Sequence, residues 1–203
     1  IAIDGGKQGE MILNQGKVYV NPVEKESKKI TRTINYVDEQ GNPLSDQDTQ
    51  TVTFTRDKIT DIITGEVSYT DWQSDDPNFT EVVSPKIPGY STKTPVVDSE
   101  TITASDSDKT INVVYLKNKV ETETKDVTRI INYVDEEGHP LAKQDKQTVT
   151  FTREKTTELA TGNVTYSDWE SKNDTFTKVI SPEIQGYSTK TPVVDSETIT
   201  ASD

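Results

Sequence analysis

A mainly β fold, built as two tandem elongated antiparallel β modules with at most one short helix each, follows from three features of the 203-residue chain. Residues Gly89 to Asp106 read GYSTKTPVVDSETITASD, and Gly186 to Asp203 repeat the same eighteen letters. Tyr36 answers Tyr133, Trp72 answers Trp169 and Tyr90 answers Tyr187, each at a separation of 97 residues, so two units of just under a hundred residues share one architecture. Thr alternates with Val, Ile, Phe or Tyr while Ala and Leu are scarce, a composition that suits pleated, half-buried strands. Apolar residues make up only 30% of the chain, so each core is thin.

Residues 1–29 are read as the tail of a preceding module plus a linker. Gly16-Lys17-Val18-Tyr19-Val20 and the charged run Asn21 to Lys29 resemble Val113-Val114-Tyr115-Leu116 and the charged run after it, a closing strand followed by a polar linker. The first module, 30–116, opens with Thr31 to Val37, a β-rich run ending in the turn cluster Asp38-Glu39-Gln40-Gly41-Asn42-Pro43. Thr51 to Arg56 then places Val52 and Phe54 on a buried face and three threonines on a wet one. Asp57 to Thr64 fits either a short helix or a strand, stopped by Gly65. Val67 to Trp72 and Phe79 to Val83 read as strands around a polar loop. Two prolines and a glycine in Ser84 to Tyr90 force a crossing that presents Tyr90 on a turn. Thr94 to Thr103 returns as edge-type extended chain, and Thr110 to Leu116 closes the module. A linker at 117–126 leads to the second module, 127–203, which repeats this order without a counterpart of the closing strand. That module is expected to have an open edge.

Charge and cysteine content exclude whole classes of function. Thirty-five acidic side chains against 22 basic ones give a net charge of −13, which repels polyanions, so no nucleic acid and no anionic membrane surface is expected as a partner. No stretch is long and apolar enough for membrane insertion as a helix. The absence of Cys removes disulfides, thiolate metal sites and cysteine nucleophiles.

Catalysis finds no consistent base. His139 is the single histidine and lies in a Gly138-His139-Pro140 turn where the first copy has Asn42, so it reads as an exposed turn residue. Adjacent carboxylates such as Asp38-Glu39 and Asp135-Glu136 point apart in a solvated turn. No enzyme, no catalytic residue and no cofactor is therefore expected. Calcium is the one cation whose hard-oxygen preference Asp106-Ser107-Asp108 and Asp38 to Gly41 would suit, although the twelve-residue loop spacing is missing. No metal ligand is assigned.

The aromatic residues carry the binding hypothesis. Sugar rings offer apolar C–H faces, so a glycan site wants an exposed aromatic ring beside Asp, Ser or Lys groups that hydrogen-bond hydroxyls. Asp71 with Trp72 and Tyr90 with Ser91 and Lys93 supply both ingredients, and Asp168 with Trp169 and Tyr187 with Ser188 and Lys190 supply them again. Core packing is the competing use of each Trp, because so few large apolar residues are present. Tyr90 stands open between the two uses.

The ordered series Asn35-Tyr36-Val37-Asp38, Thr51-Val52-Thr53-Phe54-Thr55-Arg56, Thr64-Gly65, Asp71-Trp72, Ser84-Pro85, Pro88-Gly89-Tyr90 and Val113-Val114-Tyr115 resembles the C-terminal domain type of the mucus-binding protein (Mub) repeats of lactic-acid bacterial surface adhesins. The resemblance covers residues 30–118 and 127–203. It implies β-rich domains related to the ubiquitin-like β-grasp, on an extracellular, cell-wall-anchored protein that binds mucin glycans, with some members also binding immunoglobulin. Gln185 departs from the pattern at the place of Pro88, and no Leu-Pro-x-Thr-Gly sorting signal is present, so anchoring is expected through a region outside this sequence. Given the acidic charge, binding is expected to rest on short-range hydrogen bonds summed over many weak sites. Two other readings accompany it: stalk modules that space a distal tip domain from the wall, and recognition of immunoglobulin by an exposed sheet edge.

Overall fold

In Ile30, Arg32, Ile34 and Tyr36 every second residue is buried, the period of a strand with one face inward. The structure, a computed structural model, describes residues 16–203. Its first copy contains β1 (Val23–Val37), β2 (Pro43–Thr60), β3 (Val67–Tyr69), β4 (Asn78–Phe79), β5 (Val82–Val83), β6 (Tyr90–Thr92), β7 (Val96–Val97), β8 (Glu100–Thr101) and β9 (Lys109–Lys117). The second contains β10 (Lys119–Val134), β11 (Pro140–Thr157), β12 (Val164–Tyr166), β13 (Thr175–Phe176), β14 (Val179–Ile180), β15 (Val193–Val194) and β16 (Glu197–Thr198). No helix occurs among the described residues, and the chain is mainly β as its composition predicts.

Three boundaries differ from expectation. Lys119 to Asp126, read as linker, is the first half of β10 and pairs antiparallel with β11 from Lys119↔Thr157 to Asp126↔Thr150. The charges that suggested a linker are used across the sheet: Arg153 donates from Nε to Glu123 Oε2 at 2.8 Å. Likewise Val23 to Lys29 belongs to β1, where Arg56 reaches Glu26 at 2.8 Å. Residues 17–20, expected as a closing strand, carry no strand here, and the rest of the expected tail, residues 1–15, lies outside the described residues.

The helix-or-strand ambiguity at 57–64 resolves as strand to Thr60 followed by a turn. Ile62 and Ile63 are 54% and 69% exposed, so no apolar surface holds a helix face there. Instead Asp61 Oδ1 accepts the N–H groups of Ile63 and Thr64, and Gly65, at φ 76°, closes the turn with its N–H on Asp61 O at 2.8 Å.

By contacts the chain divides into two compact units. Among the described residues, one contains 16–35, Gln47–Val83 and Val96–Ile111; the other contains Tyr36–Asp46, Ser84–Pro95 and Asn112–Asp203. The core of the first unit is Ile30, Val52, Phe54, Phe79 and Ile102, with Trp72 and Ala104 packed against it. Short antiparallel pairs, β4 with β8 and β5 with β7, fold residues 78–101 back on themselves, and prolines at 85, 88 and 95 keep them short. Buried Arg32 pins this excursion: its guanidinium donates to Asp98 O, Gln50 Oε1 and Thr80 O at 2.7–2.8 Å and lies 5.1 Å from the Phe79 ring centre. Charged donors of this kind stabilise by about 1.5–3 kcal/mol per bond, which offsets the cost of burying the charge.

In the second unit the same design recurs at the 97-residue offset. Val149, Phe151, Phe176 and Ile199 form the core, with Val127, Trp169 and Ala201 against it. Arg129 holds Asp195 O, Gln147 Oε1 and Thr177 O. Lys125 Nζ donates to Ala201 O, as Lys28 Nζ does to Ala104 O in the first. The sheets differ: the first copy has the order β3-β2-β1-β9-β6, whereas the second has only β10-β11-β12.

Candidate functional site

Antiparallel pairing of β2 with β3, in the register Lys58↔Tyr69, continues through a bridge between Thr55 and Gln73. This brings Tyr69 and Trp72 to the side chain of Arg56. The guanidinium carbon lies 3.9 Å from the Tyr69 ring centre and 4.5 Å from that of Trp72, and Nε is fixed on Glu26 Oε2 at 2.8 Å. The second copy reproduces the stack with Arg153, Tyr166 at 4.0 Å, Trp169 at 4.5 Å and Glu123 at 2.8 Å.

Each Trp is half-buried against its core and stacked by Arg, so Trp72 and Trp169 pack rather than project. Asp71 and Asp168 beside them are exposed. Beside each Trp, the ring that faces solvent is Tyr69 or Tyr166, at 49% and 50% exposure. Reading the sequence for Asp-Trp pairs passed over both tyrosines and both arginines. The signal was a Tyr three residues before each Trp, with an Arg closing the preceding β run.

The turn residues behave differently in the two copies. Tyr90 is half-buried in β6, and Ser91 is buried with no partner for its Oγ among the described residues; only Lys93 is exposed. β6 pairs antiparallel with β9 as Tyr90↔Lys117, Ser91↔Leu116 and Thr92↔Tyr115. Tyr187, Ser188 and Lys190 are all exposed and belong to no strand.

Beside Tyr187 lies an open groove of about 940 Å³, lined by Ile131, Tyr133, Leu141, Pro182, Tyr187 and Thr189 among others. In the first copy the corresponding place holds β9. Tyr115 packs edge-on to Tyr36 with ring centres 6.4 Å apart, and its hydroxyl donates to Pro85 O at 2.6 Å. Burial raises the Tyr115 hydroxyl above its ordinary pKa. Tyr133, the counterpart of Tyr36, donates to Asp145 Oδ2 at 2.6 Å, and that hydrogen bond raises its pKa.

The carboxylates that suggested cation binding are engaged in turns. Asp38 accepts the side-chain amide of Asn42, then backbone N–H groups of Asn42 and Gln40, and these bonds lower its pKa. Asp106 is lowered chiefly by the Thr103 N–H. Asp135 is lowered chiefly by the His139 N–H, while its Oδ2 lies 3.0 Å from His139 Nδ1. Asp135, Glu137 and His139 are the one group of three potential ligands among the described residues; the first copy has Asp38, Gln40 and Asn42 in those places.

Comparison with known proteins follows the repeat. The family model for the Muc B2-like domain matches residues 22–119 and again 118–203. Among solved structures, a mucin-binding domain from Streptococcus pneumoniae is 37% identical, with the alignment covering 47% of this chain and 96% of that one at a TM-score of 0.45. The solved structure of Mub-RV is 36% identical over 46% of this chain and 54% of its own, at a TM-score of 0.44. A MucBP domain of an adhesion protein from Pediococcus pentosaceus is 30% identical over 44% and 98%, at 0.40. No curated protein matches the chain. With one model matching the chain twice, over residues 22–119 and 118–203, the chain belongs to the Muc B2-like domain family.

Proposed function

We propose that this chain is a non-catalytic repeat region of an extracellular bacterial surface adhesin, anchored to the cell wall through a region outside this sequence, in which two modules bind mucin glycoproteins. Membership of the Muc B2-like family supports the partner class, and the solved relative from Streptococcus pneumoniae is itself a mucin-binding domain. The observation that carries the contact is the exposed Tyr ring held on an Arg, repeated at the same place in both copies.

A sugar C–H face stacks on the outward side of Tyr69 or Tyr166, with Asp71 or Asp168 accepting from hydroxyls. The Arg, already paired with Glu26 or Glu123, keeps the ring from rotating, which lowers the ordering cost of binding. Exposed Tyr187, Ser188 and Lys190 add a subsidiary contact in the second copy, whereas strand-paired Tyr90 contributes less. The binding chemistry needs no cofactor. One such contact is weak, and avidity along tandem modules supplies retention.

The test is retention of multivalently displayed chain on mucin. Tyr69→Ala with Tyr166→Ala should abolish it, and Tyr90→Ala with Tyr187→Ala should only weaken it. Removing glycans from the mucin should abolish retention as well. Retention that survives deglycosylation overturns the glycan reading in favour of protein recognition, including that of immunoglobulin; no retention at any valency favours a spacer role.

A further inference from the structure

Each solvent-facing tyrosine stands beside a repeated lattice of charges. Glu24 and Glu26 lie on one face of β1, and Arg56 and Lys58 on the same face of β2, because alternate residues of a strand point to one side. Arg56 Nε donates to Glu26 Oε2 at 2.8 Å, and Lys58 Nζ lies 3.6 Å from Glu24 Oε2. Lys58 is also the register partner of Tyr69, which puts the ring beside this quartet. The second copy keeps the pattern: Arg153 holds Glu123 at 2.8 Å, and Lys155 stands opposite Glu121 while pairing with Tyr166. There Lys119 Nζ adds a contact to Glu121 at 3.2 Å.

An anion brought against such a ring needs a free cation to offset its lost hydration. Here every cation of the group faces a glutamate that its own sheet supplies. Asp71 and Asp168, exposed and without a side-chain partner among the described residues, each add a further carboxylate. In the first copy Arg56 and Lys58 thus stand against Glu24, Glu26 and Asp71, two cations to three carboxylates. In the second, Arg153, Lys155 and Lys119 stand against Glu121, Glu123, Asp168 and the exposed Glu170 that follows Trp169, three to four. Both sites are net negative, and the whole chain, at −13, has the same sign. An uncharged sugar meets no such penalty: its C–H face stacks on the ring and its hydroxyls donate to the aspartate.

We propose that the Tyr69 and Tyr166 sites select uncharged sugars and reject sialylated and sulfated ones, an inference that rests on the glycan reading given above. The specificity-determining residues are Glu24 with Glu26 and Glu121 with Glu123, which act by occupying the cations that an acidic sugar would need. Acidic caps on mucin chains therefore mask the ligand. The reaction class that supplies it is hydrolysis of terminal sialic acid or of sulfate esters, which leaves neutral sugar ends for the tyrosines.

Retention of the multivalently displayed 203-residue chain on mucin, before and after enzymatic removal of sialic acid and sulfate, tests this. Removal should raise retention by about fivefold or more at low salt. On untreated mucin retention should rise with salt, as screening weakens the repulsion. Glu24→Gln with Glu121→Gln frees Lys58 and Lys155 and breaks only exposed pairs that contribute little to folding, so the preference for decapped mucin should shrink. Tyr69→Ala with Tyr166→Ala should abolish retention on both forms. Retention that is unchanged or lower on decapped mucin overturns the proposal and leaves glycan binding in place. A preference that the double Gln variant does not alter overturns the role of the glutamates. Retention that survives complete deglycosylation overturns the glycan reading itself, and this inference with it.

Discussion

Gly89–Asp106 and Gly186–Asp203 have the same letters and different surroundings. In the first copy Tyr90 to Thr92 is a strand against β9, and Ser91 is buried; in the second the same three residues form no strand and all are exposed. Both segments keep the turn before them, with the N–H of Tyr90 on Ile87 O at 3.1 Å and that of Tyr187 on Ile184 O at 3.0 Å. Local sequence thus sets the turn, while a neighbouring strand decides whether the residues after it become sheet. Strand formation here is tertiary, as expected where pairing and burial, rather than backbone preference, supply most of the stabilisation.

The largest effect that would sharpen this contrast is on the tyrosines under β9. Tyr36→Ala removes a buried ring that packs against Tyr115 and should destabilise by about 3–5 kcal/mol, whereas Tyr133→Ala, half-exposed, should cost about 1 kcal/mol. Chemical denaturation followed by circular dichroism measures both, and equal losses would remove β9 as the cause of the difference.

A smaller effect concerns opening of the identical segments. Amide exchange at Tyr90 to Thr92 should be slower than at Tyr187 to Thr189 by about tenfold or more, since only the former lies against a paired strand. Matching protection factors in the two copies would break the comparison.

The smallest effect should be the same in both copies. Asp38 and Asp135 have pKa values held below the ordinary 3.8 by hydrogen bonds in equivalent turns. A depressed folded-state pKa contributes stability that is fully present above 3.8 and is lost as pH falls through the lowered value. Carboxyl chemical shifts followed by NMR should therefore titrate below 3.8 at both residues, and a midpoint at or above it for either would contradict the turn geometry.

Much of the strand content was legible because the period of two in Thr51 to Arg56 and Thr31 to Val37 marks a wet and a dry face. The core partners Val52, Phe54 and Phe79 recur at the repeat offset as Val149, Phe151 and Phe176. Charge misled at Lys119 to Asp126: a run of Lys, Glu and Thr resembles a solvated linker, and only the opposing strand shows that Glu123 has Arg153 across from it. The buried arginines were illegible for a related reason, since Arg32 is accommodated by two carbonyls and a Gln amide from distant parts of the chain. At the candidate site the aromatic theme was legible and the choice of ring was not. Trp72 and Tyr69 lie three residues apart, and it is the guanidinium of Arg56 and the core beneath that assign one inward and the other outward.

The arginine stack also gives the protein a pair of built-in optical probes. The chain has two tryptophans, Trp72 and Trp169, and each indole lies beneath a guanidinium at 4.5 Å while resting on a core. Their emission reports the same microenvironment once per copy. Replacing either one by Phe leaves a single fluorophore that dates the unfolding of its own half, so the two copies can be followed separately in one unlabelled chain.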